Sequence, residues 1–163
     1  MSAHADPIEP LVFVDAPDFL AFVPGAPVPG GSKVPGRRND GTLFLRDAAG
    51  KRNALWKRNV RMTAITMMEG PPITGPVDLS VVFVMPRPKK HFFTGKRSNV
   101  LRPDAPAHHV HAPDATKLLR STEDALKGIV WVDDSQVVSQ TVMKRYGPFP
   151  GARIVVRRIN ETE

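Results

Sequence analysis

Carboxylates stand at both ends of one short stretch of this chain, Pro113 to Asp134, with sequence PDATKLLRSTEDALKGIVWVDD. Asp114 precedes apolar or small residues at Ala115, Leu118, Leu119, Thr122, Ala125 and Leu126, the spacing of a helix with one buried face. Gly128 follows the last periodic residue and offers a left-handed cap, while Lys127 suits the negative end of the helix dipole. A β-like Ile129–Val132 then leads to the paired Asp133 and Asp134 and a second β-like run at Gln136–Val138. A helix and a strand edge can thus bring Asp114 and Asp134 together. Mg²⁺ wants such oxygen ligands, usually one or two carboxylates with water and substrate phosphate completing the shell, and it would assist phosphodiester hydrolysis by neutralising growing charge and acidifying the attacking water. A plainer chemistry fits the same residues: Asp is a favoured helix N-cap, and Asp-Asp-Ser before a strand is common turn material. Spacing by itself leaves both open.

The surrounding residues narrow the choice. The run PD-x-x-KL-x-R-x-x-x-DAL-x-G-x-x-W-x-DD-x-QV resembles the central motif of the RusA family of Holliday junction resolvases, carried here by Pro113-Asp114, Lys117-Leu118, Arg120, Asp124-Ala125-Leu126, Gly128, Trp131, Asp133-Asp134 and Gln136-Val137. The likeness continues more loosely through Val23–Pro29 and RPKKHFFTGK, Arg87–Lys96, so that roughly residues 20 to 159 are covered. The resemblance implies a RusA-like α+β fold and an Mg²⁺-dependent homodimer, with Mn²⁺ able to substitute, that nicks four-way junctions and related branched DNA in pairs during recombination and repair. It implies metal-binding aspartates at Asp114 and Asp134, with Asp133 assisting, and Lys117 or Arg120 at the scissile phosphate. It also implies work in the cytoplasm, that of a bacterial host if the protein is phage-borne. The family usually carries a second Asp two residues after the first; here that position is Thr116. Thr116, Arg120 and Glu123 share a helix face, so Glu123 is expected to restore the missing charge, mainly by fixing Arg120, with Thr116 offering its hydroxyl to a bound water. Asp124 is out of phase with Thr116 and is expected to be an outer support or plain helix surface. Two other functions fit the residues: a non-catalytic junction binder that lost a ligand at Thr116, and a general nucleic-acid-binding module.

The elements that must position these groups fit within 163 residues, a one-domain length. Residues 1–18 form an acidic extension, expected to be disordered, and 19–160 a single domain. Residues 1–20 contain Asp6, Glu9, Asp15 and Asp18 and no Lys or Arg. They show no signal-like apolar core, no stretch approaches a membrane span, and the absence of cysteine excludes disulfides and thiolate metal sites. Phe19–Val23 reads as an opening strand and Pro24–Pro35 as an irregular loop. Within that loop Gly30-Gly31-Ser32-Lys33 lacks the Walker pattern and is read as a flexible basic segment near DNA. Thr42–Leu45 is expected to pair with the opening strand. Arg46 to about Met68 is expected to be helical, with Trp56, Val60, Ala64 and Met67 on its core face. Val77–Met85 is the candidate central strand. Val137–Lys144 and Ala152–Ile159 are expected to pair antiparallel across Tyr146–Gly151. The expected fold is therefore a mixed β-sheet of about four or five strands packed with two main helices.

Between these elements, Arg87–Ala112 is long enough to imply function. His108, His109 and His111 lack a fourth ligand for zinc and are expected to touch DNA or line the approach to the acidic site. Net charge is +7, concentrated in two clusters: Lys33, Arg37, Arg38, Arg46, Lys51, Arg52, Lys57, Arg58 and Arg61, then Arg87, Lys89, Lys90, Lys96, Arg97 and Arg102. Of these, Lys33, Arg37, Arg38, Lys89, Lys90, Lys96 and Arg97 are the candidate DNA-binding residues. Such clusters suit a polyanion, whose condensed counterions are released on binding. Neutralising Arg37, Arg38, Lys89 and Lys90 together should lower the log–log salt slope of DNA binding by about 0.9 per lost phosphate contact. Titrations across a salt series measure it, and an unchanged slope would show that these residues serve solubility alone.

Overall fold

The computed structural model describes residues 16–30, 33–47 and 50–160. Most of the acidic extension and the Gly31-Ser32 centre of the basic loop lie outside the described residues. Asp18, at the end of that extension, accepts a hydrogen bond from the Arg158 amide at 2.8 Å and pairs with its guanidinium at 3.2 Å.

Among the described residues, six strands and two α-helices follow in the order β1 (Phe19–Pro24), β2 (Lys33–Arg37), β3 (Leu43–Asp47), α1 (Gly50–Met67), β4 (Val77–Pro86), α2 (Ala115–Leu126), β5 (Val137–Gly147) and β6 (Gly151–Arg158). The main sheet has the order β1-β6-β4-β5; β6 is antiparallel to both neighbours, while β4 and β5 run parallel. Together with the separate β2-β3 hairpin this makes the fold α+β, as expected.

Alternation dictates which side is covered. In β4, Val77, Leu79, Val81, Phe83 and Met85 are buried and the residues between them are not. Register carries that face across the sheet: Ala21, Ile154, Val81 and Val142 form one row, Phe19, Val156, Leu79 and Gln140 a second, and Val23, Ala152, Phe83 and Lys144 a third. Both helices lie on this face and share its core, α1 through Trp56, Val60 and Ala64, and α2 through Leu118, Leu119, Ala125 and Leu126. Between the helices, Trp56 Nε1 donates to Thr122 Oγ1 at 3.3 Å, Ser121 Oγ donates to Asn53 Oδ1, and Lys57 Nζ meets Asp124 Oδ2 at 2.7 Å. The contacts advance in the same direction along both helices, so they run parallel.

Five expectations fail, most of them for identifiable reasons. β3 pairs with β2 rather than with the opening strand: Asp40 accepts the Thr42 amide and Gly41 takes φ +87°, which closes a tight turn directly after β2. Part of the supposed irregular loop is therefore strand, with Pro35 tolerated in a two-stranded edge. β5 and β6 are not neighbours, because β4, apolar on one face and bearing Val82 and Val84 on the other, takes the position between them. Met67 is 52% exposed, while Ala64 within the last turn of α1 and Met68 just past it face the core in its place. Ile129–Val132 makes only bridge contacts, Trp131 with Ile73 and Lys127, so the apolar run buries Val130 and Trp131 without forming a strand.

Gly151 allows β1 to close on β6, because a Cβ there would lie 2.4 Å from both the Phe22 ring and the Val23 carbonyl oxygen. Gly151→Ala should cost about 1–3 kcal/mol by overpacking against backbone. Urea unfolding measures this, and parental stability would show that β1 has room to shift.

Candidate functional site

The acidic residues of Pro113–Asp134 occupy different environments because each is held by a different local device. Asp114 takes the N-cap position of α2 with extended backbone, φ −66° and ψ 144°, yet its carboxylate caps nothing; it pairs with Lys117 Nζ at 3.4 Å in a solvent-exposed contact. The plain N-cap reading of Asp114 is thereby set aside. Gly128, at φ +76°, ends α2 as expected, while Lys127 turns to Asp133 at 2.7 Å.

Asp133 takes the turn-forming role. Its Oδ1 accepts the Ser135 amide at 3.0 Å, and Gln136 Oε1 accepts the Asp133 amide at 2.8 Å, forming a reciprocal cap on the 3₁₀ turn Asp134–Gln136. Gln136 Nε2 then donates to the Ile73 and Gly75 carbonyls at 2.9 and 2.8 Å, tying the turn to the approach of β4. Lys127, followed by the Ser135 amide, holds the Asp133 carboxyl far below the ordinary carboxylate range. Asp133 thus caps the turn that carries Asp134 and pairs with Lys127.

Asp134 is aimed by a buried side chain. Trp131, 0% exposed, donates its indole N–H to Asp134 Oδ1 at 3.0 Å, and Asp134 Oδ2 lies 3.9 Å from Lys127 Nζ. Asp134 lines a cleft of about 560 Å³ together with Gly30, Thr116, Lys117, Leu119, Arg120, Glu123, Asp124 and Gln140. The expected residues Thr116, Lys117, Arg120, Glu123 and Asp134 are thus brought to one place, whereas Asp114 is connected to it through Lys117. Glu123 accepts a hydrogen bond from Gln140 Nε2 on β5, so its partner is Gln140 in place of the expected Arg120. Burial, then the charge of Asp134, raises the Glu123 carboxyl above its ordinary value. Asp124 does share the cleft and reaches Lys57, despite its helical phase.

Gln140 has no signal as a site residue in the sequence, and Gly30 reads there only as part of a basic segment near DNA. Gln140 faces α2 because it lies opposite Leu79 in the sheet, a fact of register. Gly30 donates its amide to the Lys117 carbonyl at 3.0 Å, and a Cβ there would lie 3.1 Å from Ser121 Cβ, so its lack of a side chain lets the Pro-rich loop reach α2.

The histidines go elsewhere. His91 is buried edge-on to Tyr146 at 4.7 Å, His109 packs on the same ring at 4.9 Å, and His108 bridges to Arg145. Burial lowers the pKa of both His91 and His109, reinforced by Arg87 and Lys144 respectively. None of them lines the acidic cleft; His91 and His111 line a second hollow of about 310 Å³ with Lys90, Arg102 and Asp104. The candidate DNA-binding cations are exposed: Lys33, Arg37 and Arg38 on the hairpin, Lys89 and Lys90 on one 3₁₀ turn, and Lys96 and Arg97 on another, where Arg97 lies 4.1 Å over the Phe93 ring.

Among the described residues no group of three or more His, Cys, Asp or Glu could hold a metal ion. The cleft's carboxylates and the Thr116 hydroxyl nevertheless form an all-oxygen donor set that suits a hard cation completing its shell with water and substrate oxygens. The α+β domain thus sets two interacting carboxylates, Glu123 and Asp134, and two cations, Lys117 and Arg120, around one open cleft. The chain belongs to the RusA endodeoxyribonuclease family, whose pattern matches residues 24–157. It is also similar to the uncharacterized protein YqaN of Bacillus subtilis (strain 168), with 30% identity over 149 residues that cover 88% of this chain and 99% of that protein. No helix among the described residues is long and apolar enough to cross a membrane.

The raised Glu123 pKa means that the folded state holds this proton more tightly than the unfolded chain, so stability falls as pH rises from the unfolded value through the raised one. Glu123→Gln keeps an oxygen facing Gln140 and removes that loss. With chelator present, the variant should melt higher than the parent near pH 8 and level with it near pH 4. Equal shifts at both pH values would overturn the electrostatic account.

Proposed function

We propose that this protein is a divalent-metal-dependent endonuclease that resolves Holliday junctions and related branched DNA by paired nicks, acting as a homodimer in recombination and repair. The observation that carries the reading is the cleft in which Asp134 and Glu123 meet Lys117 and Arg120, within a chain of the RusA endodeoxyribonuclease family. Mg²⁺, with Mn²⁺ as a substitute, would be held by Asp114 and Asp134, with Glu123 adding the charge that Thr116 lacks. Bound there, the ion would supply charge neutralisation and a more acidic water.

The chain's own residues do the rest. Trp131 fixes the Asp134 carboxylate, and Gln140 fixes Glu123. Arg120 and Lys117 orient the scissile phosphate, for which planar guanidinium and compact ammonium donors are suited. Lys33, Arg37, Arg38, Lys89, Lys90, Lys96 and Arg97 engage flanking phosphates and so contribute affinity and register without reading bases. A two-fold dimer suits a two-fold junction, which favours paired nicks.

The test is a labelled four-way junction with and without Mg²⁺. Asp134→Asn and Asp114→Asn should each reduce nicking by more than about 100-fold, since even residues behind a metal ligand commonly cost 10–100-fold. Junction binding should persist in gel-shift assays. Normal cleavage by both variants would overturn the ligand assignment. Thr116 favours one rival reading, a junction binder without catalysis: a parent inert with every divalent ion and a Thr116→Asp variant that cleaves would establish it.

A further inference from the structure

The three helix-facing positions of β5 at Gln140, Val142 and Lys144 lie opposite Leu79, Val81 and Phe83, so their side chains all rise toward α2. Val142 packs against the core and Gln140 reaches Glu123. Lys144, a half-buried ammonium outside the cleft, donates to two main-chain carbonyls: His111 at 2.9 Å and Pro113 at 2.7 Å. The segment leading to those carbonyls is already fastened to the same strand. Tyr146 donates its amide to the Ala107 carbonyl at 2.8 Å, His108 bridges to Arg145, and the His109 amide approaches the Lys144 carbonyl at 3.5 Å. Lys144 therefore continues with its side chain what the backbone of β5 begins, and carries the attachment to the residue just before Asp114.

We propose that Lys144 is a positioning residue that sets where the Asp114 carboxylate stands. The Pro113 carbonyl and the Asp114 nitrogen belong to one planar peptide group, so holding that oxygen fixes the direction from which the Asp114 Cα departs. The Asp114 side chain makes no capping bond, and its pairing with Lys117 is solvent-exposed, which leaves the backbone as the rigid determinant of its position. An ammonium with three donors satisfies two carbonyls from one point; neither an apolar side chain nor a carboxylate can do this. On this arrangement β5 locates both ends of α2, Gln140 acting at Glu123 and Lys144 at Asp114.

This inference rests on Asp114 serving as a ligand, so Asp114→Asn is measured alongside. Lys144→Met preserves the stem and removes the donors. It should lower kcat for junction cleavage by about 10- to 100-fold, the scale of a misplacement near 1 Å. Junction affinity should stay within about threefold, because neither carbonyl nor ammonium would touch DNA. The Mg²⁺ concentration that half-saturates both cleavage and the metal-induced rise in melting temperature should increase, and Lys144→Arg, which keeps charge and donors, should recover most of the loss. Should Lys144→Met fail to fold, Lys144→Gln, which retains a donor group, is compared with Lys144→Arg on the same readouts. A lower melting temperature with unchanged kcat and unchanged Mg²⁺ half-saturation would reduce Lys144 to fold support and overturn the proposal. Loss of junction affinity in proportion to cleavage would make it a DNA contact instead, with the same result. If Asp114→Asn is inert while Lys144→Met behaves as the parent, only the Lys144 inference fails; if Asp114→Asn cleaves normally, it is the ligand reading that fails.

Discussion

The parallel pairing of β5 with β4 is a constraint on which the rest of the site depends. Leu79 lies opposite Gln140 and Phe83 opposite Lys144, which turns both polar residues toward α2 while Val142 between them completes the core. Side chains alternate along a strand, so a slip of one residue would send Gln140 and Lys144 to the outer face and bring Thr141 and Met143 under the helix. Buried apolar residues across four strands hold the register: Ala21, Ile154 and Val81 share the row of Val142. The position of the acidic groups is thus set by hydrophobic alternation in a sheet that itself contributes only Gln140 to the cleft.

Of the five carboxylates in Pro113–Asp134, Asp124 pairs with Lys57 and the surroundings of the other four give them different work. Asp133 is held ionised by Lys127 and by the amide it caps, so it stabilises the turn that presents its neighbour. Asp134 is oriented by an indole donor from the core, which restrains a surface carboxylate through a buried ring. Glu123 has the opposite electrostatics to Asp133, with burial and Asp134 both opposing its charge. A cation entering the cleft would relieve that repulsion, the physical link between the strain of like charges and affinity for metal. Asp114 is the most exposed of the groups discussed and owes its position to main-chain restraints on either side.

Positive charge is distributed in keeping with this division. The β2-β3 hairpin and the 3₁₀ turns after β4 carry exposed Lys and Arg on short elements, where cations can follow an irregular polyanion. Lys57 instead pairs with Asp124 between the helices, and Arg61 Nη1 reaches the Ala125 carbonyl at 3.5 Å, so part of the first basic cluster supports the fold. Membership of a basic run in sequence therefore does not determine whether a cation faces a partner or a neighbouring helix.

The amino-acid sequence by itself determined the α+β class, both helices, the central place of β4 and the glycine stop at Gly128, because these follow from local periodicity and cap chemistry. Helical spacing also placed Thr116, Arg120 and Glu123 together, and the cleft contains all three. Tertiary structure decided what alternation and adjacency cannot encode. It placed β4 between β5 and β6 and turned Met67 to solvent. It also decided the partners: Gln140 for Glu123, Trp131 for Asp134, a capping role for Asp133, and Tyr146 as the surface on which His91 and His109 pack. Each joins residues whose meeting depends on strand register or packing geometry, and a polar residue's type does not reveal which of its possible neighbours the folded chain will deliver.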